Sequence, residues 1–277
     1  MVNSITISWA RKVLKTRKQN SHKGENGRVL VVGGARRYFG APALVGLAAL
    51  RSGADLAYLL VPDYISRALA ALSPDLIIWD FEGEVLNDSS IPAFREISDK
   101  CDALVIGNGL TKQESALSTA KAILSNWHGP CVIDGDVIGF AAHENGVLTP
   151  HAGEFKRLGF GAPEGGLEAR ARQVRQAARE LGMVILLKGV VDVVSDGERI
   201  AFNKTGNAAM TVGGTGDILA GVLGALLAQG HDPFEAACLA AFINGSAGDL
   251  AFAELGYSIL ASDLLDYLPS VFKRLRH

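Results

Sequence analysis

Cysteine is scarce in this chain, with three residues in 277, at Cys101, Cys131 and Cys238. The number is odd, each cysteine stands among apolar neighbours, and their spacing is unlike that of metal-binding cysteines. The sequence therefore predicts neither a disulfide framework nor a cysteine-based metal site. Buried, reduced thiols are the expectation, and they are typical of a cytoplasmic protein.

Neither a strong excess of charge nor a long apolar run is recognisable. The formal net charge is −2, which gives no indication of a nucleic acid or an anionic membrane as partner. The most apolar stretch, residues 218–228, is shorter than the ~18 residues that a membrane span needs. We therefore expect no nucleic-acid partner, no membrane partner and no secretory signal.

Two common nucleotide-binding signatures are also absent. No Gly-x-x-x-x-Gly-Lys-Ser/Thr sequence occurs, which excludes a P-loop protein. The glycines between Gly33 and Gly40 do not have the Gly-x-Gly-x-x-Gly spacing, so a dinucleotide-binding fold of that type is unsupported.

What the chain does contain is an alternation of short apolar strands with helices. Predicted strands cover residues 28–32, 56–61, 76–79, 103–106, 131–134 and 184–188, and predicted helices cover 41–53, 63–72, 112–127, 167–181, 218–228, 233–254 and 262–274. The alternation is typical of an α/β protein with a mainly parallel central sheet flanked by helices. Residues 190–202 are predicted to form a β-hairpin around the turn Asp196-Gly197.

Because no Pro-, Gly- or Ser-rich linker interrupts the pattern, residues 1–277 are predicted to form a single domain. The basic, acid-free run 11–23 is expected to be a solvated N-terminal arm.

Polar or glycine residues follow several of the predicted strands, at Gly33-Gly34, Gly107–Gly109, Asp134–Asp136 and Pro150-His151. In open α/β sheets, ligands bind beyond the carboxyl ends of the strands. We therefore expect these four strand ends to converge on one cleft.

A glycine-rich loop, Gly213-Gly214-Thr215-Gly216-Asp217, leads into the apolar helix 218–228. A helix start carries unpaired N–H groups and a partial positive charge, and glycines let an anion approach them closely. A carboxylate would repel a bound phosphate, but it is the group needed to take a proton from a hydroxyl that attacks that phosphate. Asp217, Gly214 and Gly216 are thus candidate catalytic residues. The alternative is that Asp217 is an ordinary helix cap.

The chain as a whole resembles the ADP/ATP-dependent NAD(P)H-hydrate dehydratases of the ribokinase-like superfamily. The matching stretches are Ser21–Gly24, Gly27–Gly34, Gly40–Pro42, Ala49–Gly53, Leu148–Phe155, Leu187–Gly189, Thr205–Asn207 and Gly213–Asp217. The resemblance implies a ribokinase-like fold and the repair of hydrated NADH and NADPH. In that reaction ADP or ATP phosphorylates the ring hydroxyl, and phosphate is then eliminated.

The resemblance also implies which residues bind each ligand, as well as Mg²⁺ as cofactor and a cytoplasmic homotetramer. The residues implied for the hydrate are Ala41, Gly109, His151 and Asp217. Those implied for the adenine nucleotide are Lys188, Gly189, Val190, Val191, Asp192, Asn207, Thr215 and Gly216. Glu154 is a candidate for holding Mg²⁺ through water, the alternative being a solvated glutamate in a first helical turn. For His151 the alternative is a turn residue after a strand.

Several positions depart from the family pattern, including Thr111, which stands where the family has glycine. Asn108 stands where the family has proline, Gly135 stands where it has alanine, and Asp192 replaces a threonine near the nucleotide. Because a carboxylate would repel phosphate, we expect the Asp192 side chain to face away or to meet a ribose.

Two other functions share these features. A small-molecule kinase of the vitamin-kinase type would use the same acid and the same anion hole, but its phosphorylated product would be stable. A non-catalytic nucleotide-binding protein would have no need of Asp217.

Overall fold

A β-sheet of ten strands forms the centre of the computed structural model, which describes residues 2–276. The strands are β1 Val2–Ser4, β2 Arg28–Val32, β3 Leu56–Pro62, β4 Ile77–Phe81, β5 Ala103–Ile106, β6 Cys131–Ile133, β7 Gly146–Leu148, β8 Val184–Leu187, β9 Asp192–Ser195 and β10 Ile200–Asn203. Their order across the sheet is β1-β10-β9-β8-β7-β6-β5-β2-β3-β4. Only β9 runs antiparallel to its neighbours, so the predicted, mainly parallel sheet is confirmed.

Helices cover both faces of the sheet. They are α1 Ile7–Val13, α2 Gly40–Arg51, α3 Asp63–Leu72, α4 Ser90–Ser98, α5 Glu114–Ser125, α6 Ala152–Phe155, α7 Leu167–Leu181, α8 Thr215–Ala228, α9 Pro233–Leu255 and α10 Leu264–Arg276. Side chains alternate along each strand, so Val29 and Val31 belong to the apolar layer that includes α8, whereas Leu30 and Val32 belong to the layer that includes α4, α5 and α7. Two apolar layers result, one on each side of the sheet.

The predicted hairpin is present, but its turn is longer than the sequence indicated. Ser195 pairs with Ile200, which leaves the four residues 196–199 in the loop. The Asp196 carboxylate accepts hydrogen bonds from the backbone N–H groups of Glu198 (3.0 Å) and Arg199 (2.6 Å). The prediction of a two-residue Asp-Gly turn was therefore wrong. The loop has four residues, and the Asp196 side chain stabilises it.

The basic N-terminal run is not the free arm that its charge indicated. Part of it forms α1, and Arg11 donates to the carbonyl oxygen of Arg274 at 2.9 Å. Lys15 donates to the carbonyl oxygen of Gly230, and Arg17 forms an ion pair with Asp55 at 2.6 Å. These cations therefore fasten the N-terminal segment to the body of the protein.

Helix α9 also departs from expectation. The window from Pro233 to Ser258 is, by length and composition alone, long and apolar enough to cross a membrane. Within the structure, 72% of its apolar window is buried. Its apolar side chains therefore serve as one wall of the protein interior.

Helix α8 lies unusually close to α2, and Gly221 is the reason. A Cβ atom at this position would clash with the carbonyl oxygen of Val45 and would lie 2.8 Å from the Cβ of Ala48. The glycine gives up about 1 kcal/mol of helix propensity relative to alanine. In return it lets α8, and with it the loop at its N-terminus, sit directly against the helix that follows β2.

We expect Gly221→Ala to destabilise the protein by roughly 1–3 kcal/mol, because overpacking against fixed backbone outweighs the gain in helix propensity. Gly40→Ala is the matched control, since nothing lies within 4 Å of a Cβ at this first residue of α2. Urea unfolding of both variants measures the difference. A Gly221→Ala protein as stable as the control would show that the close approach of α8 and α2 is not a constraint.

Candidate active site

The loop that leads into the N-terminus of α8 depends on the backbone conformation of Gly214. Its φ of +100° is in the left-handed region, and a Cβ there would lie 2.9 Å from both Leu44 and Ala261. The adjacent Gly213 has nothing within 4 Å of a Cβ position, so that side of the loop is open. Thr215 closes the loop by donating its hydroxyl to the carbonyl oxygen of Met210 at 2.9 Å. The first N–H groups of a fourteen-residue helix therefore face an open space, as an anion site requires.

Asp217 lies in the first turn of α8 and is not a simple helix cap, because Gly214 occupies the cap position. Its Oδ1 accepts a hydrogen bond from Nδ2 of Asn108 at 2.7 Å. Burial raises the pKa of Asp217 to about 6, the charge of Asp134 adding to the effect while the Asn108 hydrogen bond and Lys188 oppose it. The carboxylate is consequently ionised at neutral pH and more basic than an ordinary aspartate.

A network of alternating charges lies beside Asp217. Asp134, only 5% exposed, accepts hydrogen bonds from Thr149 (2.7 Å) and from the ammonium of Lys188 (3.1 Å). Lys188 also lies 3.7 Å from Oε2 of Glu154. Burial lowers the pKa of Lys188, but the two carboxylates outweigh burial and hold it above the ordinary value. Lys188 is therefore a permanent cation among three acids.

His151 and Glu154 are tied together at the start of α6. Nδ1 of His151 accepts from the backbone N–H of Gly153 at 3.0 Å, and Oε2 of Glu154 accepts from the backbone N–H of His151 at 2.8 Å. Glu154 is only 7% exposed, so the alternative of a solvated glutamate is wrong. The pair forms a capping box, and Glu154 lies next to Lys188.

A cavity of about 650 Å³ opens on one side of Asp217. Its lining includes most of the residues predicted for the nucleotide, namely Lys188, Gly189, Val190, Asp192, Asn207, Thr215 and Gly216. His151, which was predicted to contact the hydrate, lines this same cavity. Val191 is different, because its side chain packs against the apolar layer on the α7 side of the sheet.

The Asp192 carboxylate lies in the cavity wall, and both of its oxygens are bound to the protein. Oδ1 accepts from the backbone N–H of Gly189 at 2.9 Å, and Oδ2 accepts from the side-chain amide of Asn203 at 2.9 Å. Burial raises the pKa of Asp192 although both hydrogen bonds oppose it. The residue thus shapes the loop between β8 and β9 in a way that the expected threonine, with one hydroxyl, would not.

Two of the residues predicted for the hydrate, Ala41 and Gly109, lie together near the ends of β2 and β5. A Cβ on Gly109 would lie 2.7 Å from the carbonyl oxygen of Tyr38 and 2.9 Å from the Cβ of Ala41, so these two predicted positions are in close contact. A wider groove of about 1060 Å³ extends beyond them, and its lining includes Arg36, Arg37 and Lys112. The expected convergence of strand ends is confirmed, since Asn108, Asp134, Thr149 and Lys188 follow β5, β6, β7 and β8 and are linked by hydrogen bonds.

Two further contributors, Thr149 and Asp249, were hardly indicated by the sequence. Thr149 was visible only as part of a strand end, although it is fully buried against Asp134. Asp249, on α9, accepts from the backbone N–H of Gly206 (3.0 Å) and the side-chain amide of Asn207 (2.9 Å). An acid within an otherwise apolar helix was the only available signal.

Comparison with known proteins places this geometry in a family. A family model described as NAD(P)H-hydrate dehydratase matches residues 29–270. An ADP-dependent (S)-NAD(P)H-hydrate dehydratase of Cenarchaeum symbiosum is 43% identical over 270 residues, covering 95% of this chain and 94% of that protein. A bifunctional NAD(P)H-hydrate repair enzyme of Pyrobaculum aerophilum is 45% identical over 265 residues, covering 94% of this chain but 53% of that protein. The chain thus spans about half the length of the bifunctional relative.

Solved structures agree with the fold. The ADP/ATP-dependent NAD(P)H-hydrate dehydratase of Bacillus subtilis, co-crystallised with ATP and Mg²⁺, has a TM-score of 0.86 at 29% identity and covers 99% of both chains. A ribokinase-like superfamily protein of Enterococcus faecalis has a TM-score of 0.87 at 26% identity, covering 100% of this chain and 97% of that one. The predicted ribokinase-like fold is confirmed.

The adjacent glycines of the loop offer a matched test of its conformation. We expect Gly214→Ala to destabilise the protein by at least about 1–2 kcal/mol, because a side chain is strained at this φ and would crowd Leu44 and Ala261. Gly213→Ala, whose side chain would point into open space, should stay within about 0.5 kcal/mol of the wild type. Urea unfolding measures both, and equal stabilities of the two variants would contradict the assignment.

Proposed function

The chain belongs to the NAD(P)H-hydrate dehydratase family, and on that premise we propose that it repairs hydrated NADH and NADPH at the expense of an adenine nucleotide. One observation carries the assignment of the site. Asp217, a partly buried carboxylate with a raised pKa, stands in the first turn of α8, directly after Thr215 and Gly216, which line the cavity. The cavity would hold the nucleotide, and the groove would hold the hydrated dinucleotide.

Asp217 is the proposed general base. Its carboxylate takes the proton from the hydroxyl on the hydrated ring, and the hydroxyl oxygen attacks the terminal phosphorus of the nucleotide. The N–H groups at the start of α8, reached through Gly213 and Gly214, hold the charge of the transferring phosphoryl group. Electrostatic positioning and one base are the main requirements of a phosphoryl transfer.

The second step needs less from the protein. The lone pair of the adjacent ring nitrogen expels the phosphate, and a proton then leaves the neighbouring ring carbon to restore the double bond. The products are the reduced dinucleotide, inorganic phosphate and the nucleotide shortened by one phosphate. This explains how a kinase-like site can serve a dehydration.

Glu154 is the residue proposed to contact Mg²⁺, through water. Within residues 2–276, no group of three or more His, Cys, Asp or Glu side chains is arranged to hold a metal ion. Mg²⁺ commonly binds nucleotide phosphates and water with few protein ligands, so one carboxylate acting through water would suffice. The ion, when bound, would neutralise phosphate charge.

ADP is the proposed phosphoryl donor. Two relatives that the chain matches over nearly their whole length, at 43% and 38% identity, carry ADP dependence and the (S) configuration of the hydrate in their names. In the cavity, the exposed Val190 (96% exposed) and the small side chain of Ala241 offer apolar surface for an adenine ring. The second activity of the bifunctional relatives is no part of this proposal.

We also propose a cytoplasmic homotetramer. Two large side chains, Tyr257 (76% exposed) and Leu260 (62% exposed), would be covered in an assembly. They lie shortly before Ala261, which packs on the loop of Gly214. Light scattering of the purified chain should give four times its 29.2 kDa mass, and the mass of a single subunit would contradict the proposal.

The proposed reaction is tested with purified protein, Mg²⁺, hydrated NADH and either ADP or ATP. We expect the near-ultraviolet absorbance of NADH to return, with one phosphate released for each NADH formed and faster turnover with ADP. Accumulation of a phosphorylated product without NADH would favour the small-molecule kinase. Nucleotide binding without consumption would favour the binding protein.

Asp217→Asn is the decisive variant in this assay. It should lower turnover by ~10²–10⁴ because the base is lost, while nucleotide affinity changes little because the helix N-terminus remains. In the wild type, activity should fall as the pH drops below about 6, since protonation of Asp217 removes the base. A variant that keeps more than roughly a tenth of the rate would show that Asp217 is not the base.

A further inference from the structure

Asn108 occupies the position where the family pattern has proline, and it is 2% exposed. Its side chain lies between two carboxylates. Nδ2 is 2.8 Å from Oδ2 of Asp134 and 2.7 Å from Oδ1 of Asp217. A proline at this position could make neither contact.

The orientation of the Asn108 amide is set by its neighbours. A primary amide nitrogen has two hydrogens, and each has an acceptor here. With the amide reversed, its carbonyl oxygen would face two carboxylates and gain no hydrogen bond. Oδ1 of Asn108 is buried without a hydrogen-bond partner among the described residues, so the amide forgoes one interaction in order to donate two.

The backbone beneath this side chain is closely confined. The carbonyl oxygen of Asn108 accepts from the N–H of Gly34 at 2.9 Å, and a Cβ at Gly33 would clash with the same oxygen. Gly107 has a φ of +119° and would clash with the carbonyl oxygen of Asp134 if it carried a side chain. The ends of β2, β5 and β6 thus aim the amide at Asp217.

Asp134, the other acceptor, is itself anchored. Its Oδ1 accepts from Thr149 and Lys188, and its Oδ2 accepts from Asn108. Through Asn108 this anchored carboxylate restrains Asp217. Only Oδ1 of Asp217 is held, whereas Oδ2 lies towards Gly214 and receives no hydrogen bond from any described residue.

We propose that Asn108 is a positioning residue for the reaction: it holds Asp217 by one oxygen and presents the other to the substrate hydroxyl. The proposal rests on the proposed function for the identity of the hydroxyl, but not for the hydrogen bond itself. Its contribution is to the orientation and ionisation of the base, so it should affect kcat more than KM.

The charged groups that face Asp217 determine the direction in which its pKa shifts. Asp134, after β6, raises its pKa, while Lys188, after β8, and the Asn108 hydrogen bond lower it. Glu154 is farther away and acts through Lys188. Removal of the Asn108 donor therefore raises the pKa of Asp217, and the base becomes protonated at a higher pH than in the wild type.

The first test compares Asn108→Ala with the isosteric Asn108→Asp. In Asn108→Ala we expect kcat to fall about 10–100-fold with KM values nearly unchanged, and the acid limb of the pH–rate profile to move up by about one pH unit. Asn108→Asp keeps the shape but adds a carboxylate, so the limb should move at least as far. Thr119→Val, which removes a buried hydrogen bond to Asp88 outside the site, is the control and should leave the limb in place.

The second test needs no substrate and separates this proposal from the proposed function. Carbon NMR of the carboxyl group that disappears in Asp217→Asn should give a titration midpoint near pH 6 in the wild type and a higher one in both Asn108 variants. In the wild type, the side-chain NH₂ protons of Asn108 should shift with the same midpoint, which can be measured even if a variant fails to fold. The proposal would be overturned if the NH₂ protons of Asn108 did not shift with the Asp217 carboxyl group, or if the titration midpoint did not move in the Asn108 variants. A raised KM with an unchanged kcat in those variants would overturn it too. A wild type that shows the NMR behaviour but no repair activity would overturn only the function.

Discussion

The site depends on one electrostatic constraint, which is that the carboxylates of two aspartates lie within reach of a single amide group. Like charges at Asp134 and Asp217 repel each other in a partly buried space. Lys188 offsets this at Asp134, and Asn108 donates a hydrogen to each carboxylate. Burial, with the charge of Asp134 adding to it, still raises the pKa of Asp217, the property that would suit the proposed base.

The parallel sheet makes this arrangement possible. Neighbouring parallel strands end at the same edge, so the residues that follow β5 to β8 reach one another without long loops. Close helix packing through Gly221 brings the N-terminus of α8 to that edge. Asp217, the proposed base, therefore belongs to a closely packed helix, and its hydrogen-bond partners belong to strand ends.

Much of this was predictable from the sequence, because the signals were local. Apolar strands alternating with helices indicated the sheet, and the glycines before Asp217 indicated the anion site. The helix α7 was predicted at its observed bounds, residues 167–181. The failures came from side-chain hydrogen bonds with the backbone, which the pattern of strands and helices does not show. Asp196 widened a turn locally, whereas cations in the N-terminal run bound carbonyl groups more than two hundred residues away. The role of Asn108 was likewise invisible, since a departure from a pattern does not reveal which two acids flank it.

The pairing of β1 with β10 has a consequence for how the chain acquires this structure. Residues 2–4 pair in parallel with residues 200–202, so β1 has no partner until nearly two hundred further residues have been synthesised. Contacts of such sequence separation form late and slow folding. β10 also carries Asn203, the residue that fixes Asp192 in the wall of the cavity. During synthesis on the ribosome, the pairing of β1 with β10 and that wall of the cavity are consequently completed together, after strands β2 to β9 have been translated.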